Sequence, residues 1–220
     1  MLNKKEKLIK EAVRYLGYKN HEPEGQIMKL IHEILDSVEK MEGRRFIYKI
    51  FDLKIVEDRY LKFGNIVTES KSLFKNLKNC KKVIVFAATL GIEVDRMQTR
   101  FSVMDMAKAV ILQACAAAVL EAYCDECQRN IADKVMIDGY YLRPRFSPGY
   151  GDFSIEFQKS VLQMLDCGKT IGVMATDNYM LTPKKSVTAV IGMSTTEERC
   201  HHSGCEVCVN INCEFRRNIE

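Results

Sequence analysis

The chain has 220 residues, 47% of them apolar and 28% charged, and a net charge of +4. That length suits one sizeable core and is short for two, and the composition excludes an intrinsically disordered chain. The basic pairs Lys4-Lys5, Lys81-Lys82, Lys184-Lys185 and Arg216-Arg217 are isolated and carry no interleaved aromatics, so nucleic-acid binding is not expected.

No apolar segment follows Met1–Lys7, so no signal peptide is expected. Leu8, Ile9, Val13 and Leu16 recur at helical spacing and predict a helix over residues 3–17, closed by Gly17. A second helix is predicted from Glu24 to Lys40, with Ile27, Leu30, Ile31, Ile34, Leu35 and Val38 on one face. Phe46–Phe51 and Leu53–Val56 are rich in β-branched and aromatic residues and read as strands. Ser70–Asn76 reads as a short helix and Lys82–Ala87 as a central buried strand. One long helical region is predicted from Glu93 to Lys134, where Ala116, Ala117 and Ala118 permit close packing. Its most apolar run, Ala109–Leu120, contains Gln113 and falls short of the about 20 residues a membrane span needs, so no membrane association is expected. Strand character resumes at Met136–Tyr141. A helix over Ser154–Leu165 carries the stripe Phe157, Val161, Leu162 and Leu165, and strands follow at Gly172–Ala175 and Ser186–Met193. Strands come in neighbouring pairs between helices instead of alternating with them, which favours an α+β fold.

The segment Arg145-Phe146-Ser147-Pro148-Gly149-Tyr150 carries the clearest chemical signal. An arginine fork binds a carboxylate through two parallel hydrogen bonds, Pro148 stiffens the turn, and Gly149 lets backbone approach a ligand closely. Tyr150 adds an aromatic face and a hydroxyl. Taken alone, such a segment is more often only a turn. The wider pattern adds to it: Leu142-Arg143-Pro144 precedes the segment, Gln158 follows, and Ile171-Gly172-Val173, Thr176, Met180, Pro183, Ser186 and Val187 come after at fixed spacing.

That pattern closely resembles the activation domain of cobalamin-dependent methionine synthase, which binds S-adenosylmethionine. A weaker likeness runs upstream through Phe86-Ala87-Ala88-Thr89-Leu90-Gly91 and Leu120-Glu121-Ala122-Tyr123. The resemblance implies a single C-shaped α+β domain with a twisted antiparallel sheet flanked by helices, here spanning residues 1–198. It implies that Arg145 holds the ligand carboxylate within a turn formed by Ser147, Gly149 and Tyr150, and that Glu121 contributes from the long helix. It also implies a role in reductive remethylation of cobalamin carried by a separate methionine synthase or other corrinoid protein, with flavodoxin or ferredoxin as electron donor. Two positions depart from the family pattern. No aspartate near the start of the domain can be matched, and Gly139, beside Asp138, stands where an acidic residue precedes the motif arginine.

Residues 199–220 form a cysteine-rich tail. Cys200, Cys205, Cys208 and Cys213 have the spacing C-x4-C-x2-C-x4-C beside His201 and His202, a set of thiolates able to converge on zinc or an iron–sulfur cluster. The spacing matches neither a ferredoxin run nor a zinc ribbon, and free surface thiols are the plainer alternative. Nine cysteines with no secretory signal suit a reducing cytoplasm. Cys124 and Cys127 lie within a helix and read as core, as do Cys80, Cys115, Cys167 and the methionines at 174, 180 and 193. His21 and His32 have no ligand partner at sensible spacing. There is no Ser-His-Asp arrangement, phosphate loop or carboxylate pair. Two rival classes therefore stand beside the first: a metal- or iron–sulfur-carrying redox activator of other corrinoid methyltransferases, and an interaction subunit that binds neither ligand nor metal.

Overall fold

The computed structural model describes residues 3–18, 21, 23–57 and 60–197. Helix α1 (Lys4–Tyr15) starts from a capping box in which Asn3 and Glu6 bond each other's backbone N–H, satisfying two donors that helix geometry leaves orphaned. Helix α2 (Gly25–Glu39) buries Ile31, Ile34, Leu35 and Val38, the face its periodicity predicts. Strands β1 (Arg45–Asp52) and β2 (Lys54–Val56) follow. Two strands absent from the sequence reading come next, β3 (Tyr60–Phe63) and β4 (Ile66–Thr68). They are too short for alternation to stand out, although the Gly64-Asn65 pair between them is a hairpin signal. Helix α3 (Lys71–Leu77) is capped by Ser70, whose Oγ accepts from Leu73 N–H at 3.0 Å. Strand β5 (Cys80–Thr89) is buried without a break from Val83 onward, as its continuous apolar run requires.

The long helix expected from Glu93 to Lys134 is two helices, α4 (Ile92–Met104) and α5 (Met106–Met136). Asp105 separates them. Its backbone is extended (φ −158°, ψ 94°), its N–H closes α4 on the Phe101 carbonyl at 2.8 Å, and its carboxylate accepts from Lys108 N–H at 3.1 Å. Aspartate is a preferred N-cap because its short side chain reaches the first free amides, and here that preference outweighs helix continuity. Helix α5 ends in a turn where Gly139 N–H and Tyr140 N–H bond the Met136 and Val135 carbonyls. The strand expected over Met136–Tyr141 is therefore reduced to β6 (Tyr141–Leu142). Helices α6 (Phe157–Leu165) and α7 (Cys167–Thr170) and strands β7 (Met174–Ala175), β8 (Leu181–Thr182) and β9 (Ser186–Ser194) complete the order. Strand β8 was not anticipated, because a two-residue strand before a proline carries no periodic signal.

The described residues pack as two compact units. The first takes the residues up to Gly43 and Leu90–Asp125 and is helical. In it Lys5 Nζ lies 2.6 Å from Asp36 Oδ1 across α1 and α2, and Cys115 Sγ is 3.9 Å from the Ile31 carbonyl oxygen. By length and composition α5 could cross a membrane, yet Leu112, Cys115, Ala116, Ala118 and Val119 are buried within the protein, which accounts for its apolar character.

The second unit takes Arg44–Thr89 and the described residues from Glu126 onward. It holds a four-stranded sheet in the order β1-β5-β9-β6, a three-stranded sheet β2-β3-β4 and the hairpin β7-β8, and these strands pair antiparallel. The fold is α+β. On one face of β5, Val83, Val85 and Ala87 join a core with Leu73 and Leu77 of α3 and Val161 of α6. Each valine and leucine side chain of this core contributes roughly 1.5–3 kcal/mol on burial. Gly192 of β9 sits under that packing. A Cβ there would lie 2.6 Å from Cys80 Sγ, 2.9 Å from Leu77 Cδ2 and 3.0 Å from Arg143 Cγ.

The loop carrying the Arg-x-x-x-Gly-Tyr motif is attached at both ends. At its start Arg143 N–H bonds the Gly192 carbonyl at 2.8 Å, and Phe146 exchanges both backbone bonds with Val190 of β9 at 2.9 and 2.8 Å. At its end Asp152 takes the first turn of α3. Its carboxylate accepts from Ser70 Oγ–H at 2.5 Å, Lys71 N–H at 2.7 Å and Ser72 N–H at 3.0 Å. These bonds, the Ser70 hydroxyl foremost, hold the Asp152 carboxyl well below the usual carboxylate range. Between them Gly151 has φ +54°, and a Cβ on it would meet Ser72 Oγ at 2.6 Å.

Two outcomes are expected. Gly192→Ala overpacks the strand and loses about 1–3 kcal/mol, read as a lower urea midpoint with unchanged slope. Asp152→Asn loses roughly 1 kcal/mol at pH 7, typical of a solvent-exposed helix cap. Because the folded carboxyl is depressed, its contribution is present above the unfolded value and fades as acid protonates it. The gap between wild type and Asp152→Asn should therefore close as pH falls below about 4, and a gap that holds to pH 2 contradicts this account.

Candidate functional site

Residues 143–153 form a short platform whose backbone is held along most of its length. The Arg143 carbonyl accepts from Gln128 Nε2–H at 3.2 Å and the Pro144 carbonyl from Asn76 Nδ2–H at 3.4 Å. The turn itself is closed by Tyr150 N–H to Ser147 O at 3.1 Å, Phe153 N–H to Tyr150 O at 3.0 Å and Gly149 N–H to Phe153 O at 2.7 Å. Gly149 sits at φ +94°, a conformation L side chains rarely adopt, and Ile155 Cδ1 lies 3.1 Å from where a Cβ would be and would have to give by a few tenths of an ångström. Pro148 is buried and Ser147 half-buried beneath the turn. Phe146 meets Phe153 at 6.4 Å and the Tyr150 ring edge-on at 6.1 Å between centroids. The ring of Tyr150 remains 59% exposed.

Arg145 is half-buried, and its Nη1–H donates to Gln128 Oε1 at 2.9 Å. Gln128, on α5, thus uses both ends of its amide on the motif loop. The orientation of that amide is fixed by chemistry: a guanidinium offers only donors and a backbone carbonyl only accepts, so oxygen faces Arg145 and nitrogen faces residue 143. Arg143 points elsewhere and is 4% exposed beside Gly192.

The later positions of the motif serve as framework. Gln158 is buried on α6, where its Nε2–H bonds the Tyr179 carbonyl at 3.0 Å and its Oε1 accepts from Thr188 Oγ1–H at 3.1 Å. One amide thereby ties α6 to the β7-β8 turn and to β9. Thr176 closes that turn, with Met180 N–H on its Oγ1 at 3.1 Å and its own N–H on the Met180 carbonyl at 2.8 Å. Ser186 Oγ lies 2.6 Å from the Pro183 carbonyl oxygen and 2.8 Å from Thr89 Oγ1. Pairing of Met174 with Thr182 and the Thr176–Met180 bonds put Met174 and Met180 on the outer face of the hairpin. They are 62% and 66% exposed, which corrects their assignment to the core; Met193, at 2% exposed, is core.

Glu121 belongs to the first unit, half-buried on α5, where its charge helps to raise the Tyr15 phenol, an effect led by the burial of Tyr15. Arg145, Ser147, Gly149 and Tyr150 all belong to the second unit. Cys80, Cys115, Cys124, Cys127 and Cys167 are buried, as expected of packing residues. Burial pushes the Cys115 and Cys167 thiols up to about 12, so both stay protonated at neutral pH. Cys200, Cys205, Cys208 and Cys213 lie outside the described residues. Among the described residues no three His, Cys, Asp or Glu side chains converge as a metal site. Two residues of the loop's support were not read from the sequence, Gln128 and Asp152. A polar Gln128 beside the buried stripe Cys124, Cys127 and Ile131 is the signal for the first; for Asp152 the partners are too distant in sequence for any local pattern.

In the described loop the polar side chains orient one another and the backbone, as Gln128 does for Arg145 and the Arg143 carbonyl. A crystal structure of the MetH reactivation domain bound to AdoHcy shares this fold, with a TM-score of 0.61 and 14% identity over 88% of this chain and 78% of that chain. No curated protein matches the sequence significantly. The family model described as vitamin B12 dependent methionine synthase, activation domain, matches residues 72–203. That stretch runs from the first turn of α3, which Asp152 caps, through the whole motif loop and past β9, and on it the chain belongs to the activation-domain family of vitamin B12 dependent methionine synthases.

Proposed function

We propose that this chain binds S-adenosylmethionine at the motif loop and supports reductive remethylation of cobalamin held by a separate cobalamin-dependent methionine synthase in the cytoplasm. The observation that carries this reading is the match of residues 72–203 to the activation-domain family. The AdoHcy found in the structurally similar MetH reactivation domain supports the ligand class. On this reading residues 1–198 are the functional domain.

The residues of the loop fit such a ligand. Arg145 offers a guanidinium already oriented by Gln128, suited to bidentate capture of an α-carboxylate. Gly149 and Ser147 bring backbone and hydroxyl to the same turn, and the exposed Tyr150 ring supplies a flat apolar wall. S-adenosylmethionine supplies a sulfonium methyl, which passes to cobalt together with one electron from a flavodoxin- or ferredoxin-type donor and leaves S-adenosylhomocysteine. Such a step asks the protein for position and exclusion of water and not for an acid or base, in keeping with a site built of orienting groups.

Isothermal titration with S-adenosylmethionine tests the assignment directly. Arg145→Ala should weaken binding about ten- to a hundredfold, the loss of one charge-assisted contact, while thermal unfolding stays within a few degrees of wild type. Equal affinity in wild type and Arg145→Ala places the carboxylate somewhere else, and no heat of binding in wild type overturns the reading.

A further inference from the structure

We infer that Gln128 is the positioning residue that makes the motif loop select ligands bearing a carboxylate, a role that rests on the reading of Arg145 just given. Its amide touches Arg145 Nη1 at 2.9 Å on one end and the carbonyl of residue 143 at 3.2 Å on the other. It joins the guanidinium to the backbone segment that Arg143 N–H and Phe146 fasten to β9. A long side chain such as arginine loses rotamer freedom when a ligand holds it; a partner that fixes it before the ligand arrives removes part of that cost from binding.

The neutrality of the amide is the second half of the argument. A carboxylate at position 128 would hold the guanidinium equally well, but it would offset the charge that a ligand carboxylate seeks. It would also present an acceptor to the residue 143 carbonyl, itself an acceptor, and so release that end of the loop. An aliphatic side chain would leave both loop contacts unmade. Glutamine alone combines the reach, one donor, one acceptor and no charge at this point of α5. Gln128 acts through Arg145 and is not itself a ligand contact.

Titrations with S-adenosylhomocysteine and with 5′-methylthioadenosine, which keeps the adenosyl thioether but has no carboxylate, test this. Gln128→Glu and Gln128→Leu should each weaken S-adenosylhomocysteine about tenfold or more and leave 5′-methylthioadenosine within about twofold. In an Arg145→Ala background either substitution should add less than about twofold, because the group it acts through is gone. Thermal unfolding of each variant shows whether the fold is kept; the Arg145→Ala background corrects for any general loosening, since a merely structural defect persists there. If wild type binds S-adenosylhomocysteine and Arg145→Ala weakens it, but Gln128→Glu binds both ligands as wild type does, the inference fails while the proposed function stands. Equal losses for both ligands, or losses that persist in the Arg145→Ala background, make Gln128 structural only.

Discussion

The pairing of β5 with β9 is the interaction on which the rest depends. Strand β5 is buried on both faces and uses one edge on β1 and the other on β9 over nearly its whole length. Strand β9 is therefore fixed in register, and its outer edge becomes a fixed row of backbone donors and acceptors. Only a little of that edge is taken by β6. The remainder receives Arg143 and Phe146, so the motif loop is a continuation of the sheet's hydrogen bonding and inherits its rigidity. Gly192 shows how tight the arrangement is, since the space beside it is already filled by Cys80, Leu77 and Arg143.

Polar side chains finish what the sheet begins. Asp152 binds the far end of the loop to the first turn of α3, where three donors converge on one carboxylate. Ser70 relays this, donating to Asp152 and accepting from Leu73 N–H, so a loop and a helix terminus complete each other's hydrogen bonding. Gln158 does the same among α6, the β7-β8 turn and β9. In each case a short polar group replaces water at backbone atoms that would otherwise be left unsatisfied on folding. The consequence is that Arg145 leaves a backbone with little freedom.

Much of the architecture was legible because it rests on local rules. The faces of α1 and α2, the buried run of β5, Ser70 as a cap and the span of β9 follow from spacing, capping chemistry and continuous apolarity. The failures share a cause. Strands β3, β4, β6 and β8 are too short to show a period, and their pairing energy comes from partners elsewhere in the chain. Asp105 does not interrupt the helical pattern of the sequence, because its cap bond competes with helix continuity over only one turn. The apolar character of Met174 and Met180 points inward but says nothing of which side of a two-strand hairpin they occupy, and both are exposed.

The amino-acid sequence by itself determined the α+β class, the order of the main elements and the segment Arg145–Tyr150 as the place to look, because helix period, strand run and turn chemistry are properties of neighbouring residues. The tertiary structure alone decided how that segment is held. Gln128 meets Arg145, and Asp152 meets Ser70, through contacts between residues well apart along the chain, and no local pattern names those partners. A hydrogen bond is specified by distance and direction in space, and those exist only once the sheet has set where each backbone runs.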